Sequence, residues 1–272
     1  MKGIFAVCNQ KGGVGKTTAT LNLGAALARM DVKVLCVDLD PQANLTMALG
    51  CQQPDELSVT LPTVLSDIID NRAKPGVSPL IAGRGYILHA HGMDFVPSSI
   101  ELSTLETALI NTISRETVLK SFLAHLRDDY DVILIDCMPS LNFVTINALA
   151  AANKVLIPLQ PQFFSAKGLE MLLQTIDNVR QNINPALSIE GALITMYDGR
   201  LNFHREVMNT IAAAYCDVVK IFDIKIPVSV RATETQARGK SIFDFEPKGR
   251  IAGAYEKFAE ELVNGKGEVI NV

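Results

Sequence analysis

Within the first eighteen residues an apolar run, Ile4-Phe-Ala-Val-Cys8, breaks into a glycine-rich turn, Asn9-Gln-Lys-Gly-Gly-Val-Gly15. The turn opens at Lys16-Thr17-Thr18 into a helix rich in Ala and Leu. Strand, glycine loop and helix start, in that order, form the context that a phosphate cradle requires. Gly12, Gly13 and Gly15 let the N–H groups between Lys11 and Thr18, that of Val14 among them, turn toward one point. The positive end of the helix dipole faces the same point. Lys16 brings a full charge to the terminal phosphates, and the Thr17 hydroxyl stands where Mg²⁺ needs an oxygen ligand. The usual P-loop spacing asks for glycine at position 10, which is Gln10, and a second lysine, Lys11, follows directly. A dinucleotide fingerprint is the rival, with Asp38 where its ribose-binding acid belongs. Gly13-Val-Gly15-Lys-Thr-Thr18 lacks the third glycine, however, and sets a lysine against the phosphates. A nucleoside triphosphate fits these residues better.

Composition narrows the setting. A chain of 272 residues can bury a sizeable α/β core, and 48% hydrophobic residues with a mean hydropathy of +0.22 suit a buried parallel sheet. There is no apolar run of membrane-spanning length and no charged leader followed by an apolar core, which gives a cytoplasmic expectation. Five cysteines, at 8, 36, 51, 137 and 216, are odd in number and contain no C-x-x-C pair. They suggest neither a disulfide framework nor a zinc site. The net charge of −4 gives no global reason to expect nucleic acid.

Along the chain, helix Thr17–Met30 reads as amphipathic and Lys33–Asp38 as a second buried strand. Leu39–Thr46 follows at the strand's carboxyl end, the edge where open α/β sheets bind ligands. Residues 51–100 are irregular: a short helix near Val64–Ile69, a Gly/Pro-rich flexible stretch over Lys74–Gly85, and short strands at Tyr86–Ala90 and Asp94–Val96. His89 and His91 fall on one face of such a strand, but no third ligand accompanies them and a surface role is expected. Helices Glu101–Ser114 and Arg115–Arg127 precede Tyr130-Asp-Val-Ile-Leu-Ile-Asp136, an apolar strand ending in a carboxylate suited to orient Mg²⁺ opposite Thr17. Strand Lys154–Leu159, helix Ala166–Asn182, strand Ser188–Thr195, helix Phe203–Cys216 and helix Ile251–Val263 continue the alternation. The expected fold is a doubly wound, mostly parallel sheet flanked by helices. Residues 1–272 read as a single unit, with 51–100 as an insertion.

These residues resemble the ParA/Soj branch of the deviant Walker ATPases, which also holds MinD. The matching stretches are Asn9–Thr18, Val37-Asp-Leu-Asp-Pro-Gln42, Asp131-Val-Ile-Leu-Ile-Asp-Cys-Met-Pro-Ser-Leu141, Thr145-Ile-Asn-Ala-Leu149, Ile226-Pro-Val-Ser-Val-Arg231 and Glu246-Pro-Lys-Gly-Arg250. The resemblance implies an ATPase that uses ATP and Mg²⁺. In it Lys11 acts in trans across an ATP-sandwiched homodimer, and Lys16 neutralises phosphate charge. Asp40 positions the attacking water, Asp38 supports it, and Asp136 holds the Mg²⁺ shell through water, with Thr17. Pro227 and Ser229 fall where the family lines the adenine, although the family often has Asn at the second position. Met138 stands where Pro is usual. The resemblance further implies binding of double-stranded DNA without sequence preference, through Arg200 and Arg231, with Lys240 a plausible addition. It also implies a ParB-like centromere-binding protein that stimulates hydrolysis during plasmid or chromosome segregation.

The residues bear partly on the DNA expectation. Between 220 and 250, seven basic residues face four acids, a balance of +3 in a chain of −4. That fits phosphate contacts without base readout, and a solvated loop of mixed charge accounts for it equally. Three rivals remain in view. A MinD-like membrane-cycling ATPase needs a basic amphipathic C-terminal helix, whereas Ile251–Val263 is acidic and the tail after Asn264 is short. An electron-transfer relative sharing an iron–sulfur cluster between subunits needs two suitably placed cysteines per chain, and nothing in the spacing gives Cys137 a companion. A ParA-like ATPase that positions a protein cargo on the nucleoid shares every motif.

Overall fold

The computed structural model describes residues 2–71, 77–162, 165–215 and 217–264. An eight-stranded sheet runs in the order β3-β4-β2-β5-β1-β6-β7-β8. The chain builds it as β1 (Gly3–Val7), α1 (Lys16–Ala28), β2 (Val34–Leu39), α2 (Asn44–Ala48), α3 (Leu61–Asn71), α4 (Pro79–Gly83), β3 (Leu88–Ala90), β4 (Met93–Val96), α5 (Leu102–Ile110) and α6 (Val118–Leu123). It continues with β5 (Val132–Cys137), α7 (Phe143–Ala151), β6 (Lys154–Leu159), α8 (Ser165–Asn182), β7 (Ser188–Tyr197), α9 (Asn202–Tyr215), β8 (Ile221–Pro227), α10 (Val230–Ala237), α11 (Ile242–Phe245) and α12 (Arg250–Asn264). Every strand pair is parallel except β3 with β4. This is the doubly wound sheet expected of alternating β and α segments.

The strand order sets where a ligand can sit. From β1 the chain crosses to β2 on one side, and from β5, which lies beside β1, it crosses to β6 on the other. Connections that diverge from neighbouring strands open a crevice at their carboxyl ends. The glycine loop after β1 and the segment after Asp136 both emerge there. In register, Asp136 of β5 lies opposite Val7 of β1 and Asp38 of β2, so the acidic ends of two strands meet beside the loop.

Two apolar cores form, one on each face of the sheet. The first joins α3, α5, α6, α7 and α8 to the sheet through residues such as Leu65, Leu105, Phe122, Leu149 and Leu172. The second packs α1 and α12 on β1, β2 and β8 through Leu23, Leu27, Phe222, Tyr255 and Phe258, with the Phe222 and Phe258 rings edge to face at 4.9 Å. Helix α1 differs from the expected amphipathic form, because every residue from Ala19 to Leu27 is buried. It lies between the sheet and α12, and a helix covered on both sides carries no polar stripe. Its Asn22 is satisfied inside this layer, donating to Thr18 O at 2.9 Å and accepting from Ile242 N at 2.9 Å.

Several segments depart from expectation. Residues 220–250, open to a loop reading, hold β8, α10 and α11. Edge strand β8 has too little alternation for a clear strand signal, and Glu261 of α12 accepts hydrogen bonds from Asp223 N at 3.1 Å and Ile224 N at 3.2 Å along it. The stretch expected to be flexible over Lys74–Gly85 contains α4, started by Pro79 and capped by the Ser78 hydroxyl, which accepts from Ile81 N. Lys74 itself lies outside the described residues, as do Cys216 and the tail beyond Asn264. Helix α5 stops at Ile110, and Ser114 turns the chain with a φ of 53°. The expected helix from Arg115 becomes one 3₁₀ turn and then α6, ending at Leu123. The two histidines do not share a strand. Strand β3 ends at Ala90, and His91 occupies the hairpin turn with a φ of 52°. His89 pairs with Asp94 at 2.9 Å, whereas the largely buried His91 pairs with Asp244 at 2.7 Å.

Candidate nucleotide site

The loop between β1 and α1 is held by neighbours on β6 and β7. Asn9, buried, donates to Pro158 O at 2.7 Å and accepts from Lys11 N at 2.9 Å. Gln160 donates to Gly13 O at 2.8 Å, and the Thr195 hydroxyl donates to Val14 O at 2.8 Å. Loop carbonyls are thus turned outward and satisfied, which leaves the loop N–H groups facing the crevice. Gly13 and Gly15 have φ of 71° and 83°, a region that side chains resist. A Cβ on Gly15 would also meet the Thr195 side chain at 3.7 Å. Gly15 sits at the cap of α1 with no side chain closing the helix end and no acid in the first turn. A helix N-terminus with no side-chain cap and no acid in its first turn is suited to an anion.

Charge completes the site. Lys16 is buried at the foot of the loop, and its ammonium donates to Lys11 O at 3.1 Å. Burial pulls its pKa below the ordinary lysine value, against the opposing pull of Asp136 first among its neighbours. Asp136 is buried and accepts from the Thr20 hydroxyl at 3.2 Å. Burial pushes its carboxyl up to about 8, helped by the charge of Asp38 and resisted by the Thr17 hydroxyl and Lys16. Asp38 is pushed up to about 7 by burial, although Thr46 donates to it from its N–H at 2.8 Å and its hydroxyl at 2.7 Å. Asp40 lies at the end of the same segment and accepts from Gln42 N at 2.9 Å. Three carboxylates in low dielectric against one ammonium leave excess negative charge that a cation would relieve, and the donor set of hydroxyl and carboxylate oxygen suits Mg²⁺.

The structure gathers Lys11, Gly12, Gly13, Val14, Gly15, Lys16, Thr17, Thr18, Asp38, Asp40 and Asp136 at one crevice. Lys11 extends across the loop to the Gln162 side chain after β6. Pro227 and Ser229 stand apart, at the end of β8, where they line a cavity of about 230 Å³ with Arg231, Glu246 and Arg250. Arg200 comes from the loop after β7 and Arg231 from the start of α10 after β8, and the two segments are joined where Val228 N donates to Tyr197 O at 3.3 Å. Lys240 is exposed but sits away from them, next to Gly239, which packs on Gly50. Asn9, Thr46, Gln160 and Thr195 also hold the site. Asn9, Gln160 and Thr195 are polar residues at the carboxyl ends of apolar strands, whereas Thr46 lies in α2, and their partners follow from the fold. Cys137 does have a companion: Cys8 Sγ lies 2.8 Å away, and both are free thiols. Both are buried beneath Lys16, so neither offers a surface on which two chains could share a cluster.

Residues 2–189 match a family described as an AAA domain. The chain is 40% identical over 266 residues to the chromosome-partitioning ATPase Soj of Treponema pallidum, covering 96% of each. It is 38% identical to the chromosome partitioning protein ParA of Caulobacter vibrioides, covering 96% of this chain and 94% of that one. In three dimensions it is similar, with a TM-score of 0.80 and 35% identity over 98% of both chains, to a Mycobacterium smegmatis protein described as cobyrinic acid a,c-diamide synthase with bound ADP and magnesium. End-to-end agreement of fold, loop and sequence leads to one assignment: the chain belongs to the ParA/Soj family of chromosome-partitioning P-loop ATPases.

Proposed function

We propose that the chain is a partition ATPase that binds Mg²⁺ and ATP in this crevice, dimerises with ATP between the subunits and then binds DNA without sequence preference. A DNA-bound centromere-binding protein stimulates its hydrolysis. The observation that carries this reading is the uncapped N-terminus of α1 under an outward-satisfied glycine loop, with Lys16 and three clustered carboxylates at its foot. The reading takes residues 1–272 as one unit, with residues 51–100 an insertion whose β3 and β4 extend the sheet.

The roles follow from position. Loop N–H groups beyond Lys11, whose own N–H is held by Asn9, bind the phosphates, and Lys16 exchanges its bond to Lys11 O for a phosphate oxygen. Thr17 and Asp136 would hold Mg²⁺, Asp136 through water, and the ion would supply charge neutralisation at the phosphate oxygens. Asp40 orients the attacking water, with Asp38 and Thr46 fixing the segment behind it. Phosphoryl transfer needs mainly positioning and charge neutralisation. Lys11, already directed away from its own loop toward Gln162, is free to serve a facing subunit. Pro227 and Ser229 flank the base, while Arg200, Arg231 and Lys240 meet DNA phosphates.

A membrane-cycling role fits less well, because the apolar side of α12 (Ile251, Tyr255, Phe258, Leu262) is used in the core. Among the described residues no helix is long and apolar enough to cross a membrane. The decisive experiment is a titration of random-sequence duplex DNA with the protein in ADP and in ATP at two salt concentrations. Affinity should require ATP and fall steeply with salt. Binding indifferent to nucleotide or to salt would overturn the reading.

A further inference from the structure

Both arginines assigned to DNA are occupied by carboxylates of their own chain. Arg200 is gripped by Asp198 through two side-chain bonds of 2.9 and 2.7 Å, and Arg231 is paired with Glu246. The second pair is tied to the segments assigned above to the base and to the phosphates. Arg231 follows directly on Pro227 and Ser229, and its N–H donates to the Ser229 hydroxyl at 3.2 Å. Glu246 caps the end of α11, with its N–H donating to Ile242 O at 2.8 Å. The start of α11 is tied to the nucleotide helix α1, since Ile242 N donates to Asn22 Oδ1. A Ser241–Asp244 capping box fixes the same turn. Arg231, Glu246, Pro227 and Ser229 line one cavity.

Glu246 also has a made place. A Cβ added to Gly249 would lie 2.7 Å from Glu246 Cγ and Cδ and 2.9 Å from Oε2, and Gly249 N donates to Glu246 O at 2.9 Å. The bare backbone at Gly249 is therefore what lets the carboxylate lie against it and reach Arg231. A guanidinium fork filled by a carboxylate cannot present the same face to a phosphate. With Arg231 58% and Glu246 34% exposed, the pair is of the weak, displaceable kind.

We propose that Glu246 is a positioning residue that competes with DNA phosphate for Arg231 and so makes DNA binding through Arg231 depend on nucleotide. This rests on the DNA-binding reading above. Base and phosphate binding act on the two tethers of the pair, the Pro227–Ser229 loop and α1, and free the guanidinium for DNA.

The test measures the affinity of the full chain for random-sequence duplex at low salt, with ADP and with ATP. Glu246→Gln should raise the ADP-state affinity about threefold, the scale of an exposed ion pair, and leave the ATP-state affinity unchanged. Gly249→Ala keeps the charge but displaces the carboxylate, and should act in the same direction. Combined with Arg231→Ala, neither change should give any gain. Equal gains in both nucleotide states would reflect only the lost negative charge and would overturn the proposal. If Arg231→Ala weakens the ATP state while Glu246→Gln and Gly249→Ala alter nothing, the proposal fails and the DNA reading stands. If Arg231→Ala has no effect in either state, the DNA role of Arg231 fails as well.

Discussion

Lys16 and Asp136 set the charge at the foot of the loop. Lys16 donates to Lys11 O, and burial raises the carboxyls of Asp38 and Asp136 above the ordinary carboxylate range. Lys16→Ala should abolish ATP binding in calorimetry, and near-normal affinity would sink the cradle assignment. The carboxyls give a pH dependence with a definite sign. Both have pKa values raised above the ordinary carboxylate range, so the folded chain holds protons that the unfolded chain releases. Their contribution is full below about pH 4 and is lost as pH rises through about 7 for Asp38 and about 8 for Asp136. Thermal unfolding of the nucleotide-free protein should show stability falling toward pH 8, by on the order of 1 kcal/mol per pH unit for each carboxyl. Asp136→Asn should flatten that fall, and an unchanged slope would reject the assignment. Mg²⁺ with ATP should take over from the protons, so that binding below about pH 7 releases them to the buffer and binding well above about pH 8 does not.

At the scale of elements, the glycine loop is only as good as the strands that hold it. Thr195 on β7 and Gln160 after β6 reach back to carbonyls of a loop far away in sequence. Thr195→Val removes the hydroxyl that donates to the buried Val14 O and should cost about 1–3 kcal/mol in chemical denaturation. It should also weaken ATP binding, although residue 195 supplies no phosphate contact; an unaltered nucleotide affinity would mean that the loop holds its shape unaided. The loop and its lysines were legible because spacing alone carries them, and β5 because four apolar residues end in Asp136. The braces were not legible, since Asn9, Gln160 and Thr195 find their partners through strand order. Similarly, α1 was expected to be amphipathic because nothing local reveals that α12 returns to cover its outer side. Strand β8 escaped notice because one side of it is covered by α12 alone, which leaves the sequence half-polar.

For the whole molecule, the sheet brings the nucleotide crevice and the paired arginines to one edge, on loops after β1, β2, β5, β7 and β8. A partner subunit that closes the crevice would therefore act on the arginine loops as well. Asp40→Ala should leave ATP binding intact and stop turnover, so sedimentation with ATP should find a stable dimer. A species that stays monomeric there would refute the sandwiched arrangement. The sequence placed these groups in one site through the family resemblance, but it could not show that Arg200 and Arg231 are each held by an acid of the same chain. Asp198 is two residues from its arginine, whereas Glu246 is fifteen away.

Glu261 has a consequence beyond its own helix. By taking the N–H groups of Asp223 and Ile224 along the outermost strand, it shuts off the one long border at which identical chains could knit together indefinitely. The opposite border is a strand of only three residues. A sheet with that border held by a neighbouring helix offers its own copies two donors fewer to pair with. Glu261→Ala should produce light scattering that grows with concentration in the absence of nucleotide, open-ended growth in place of a counted assembly.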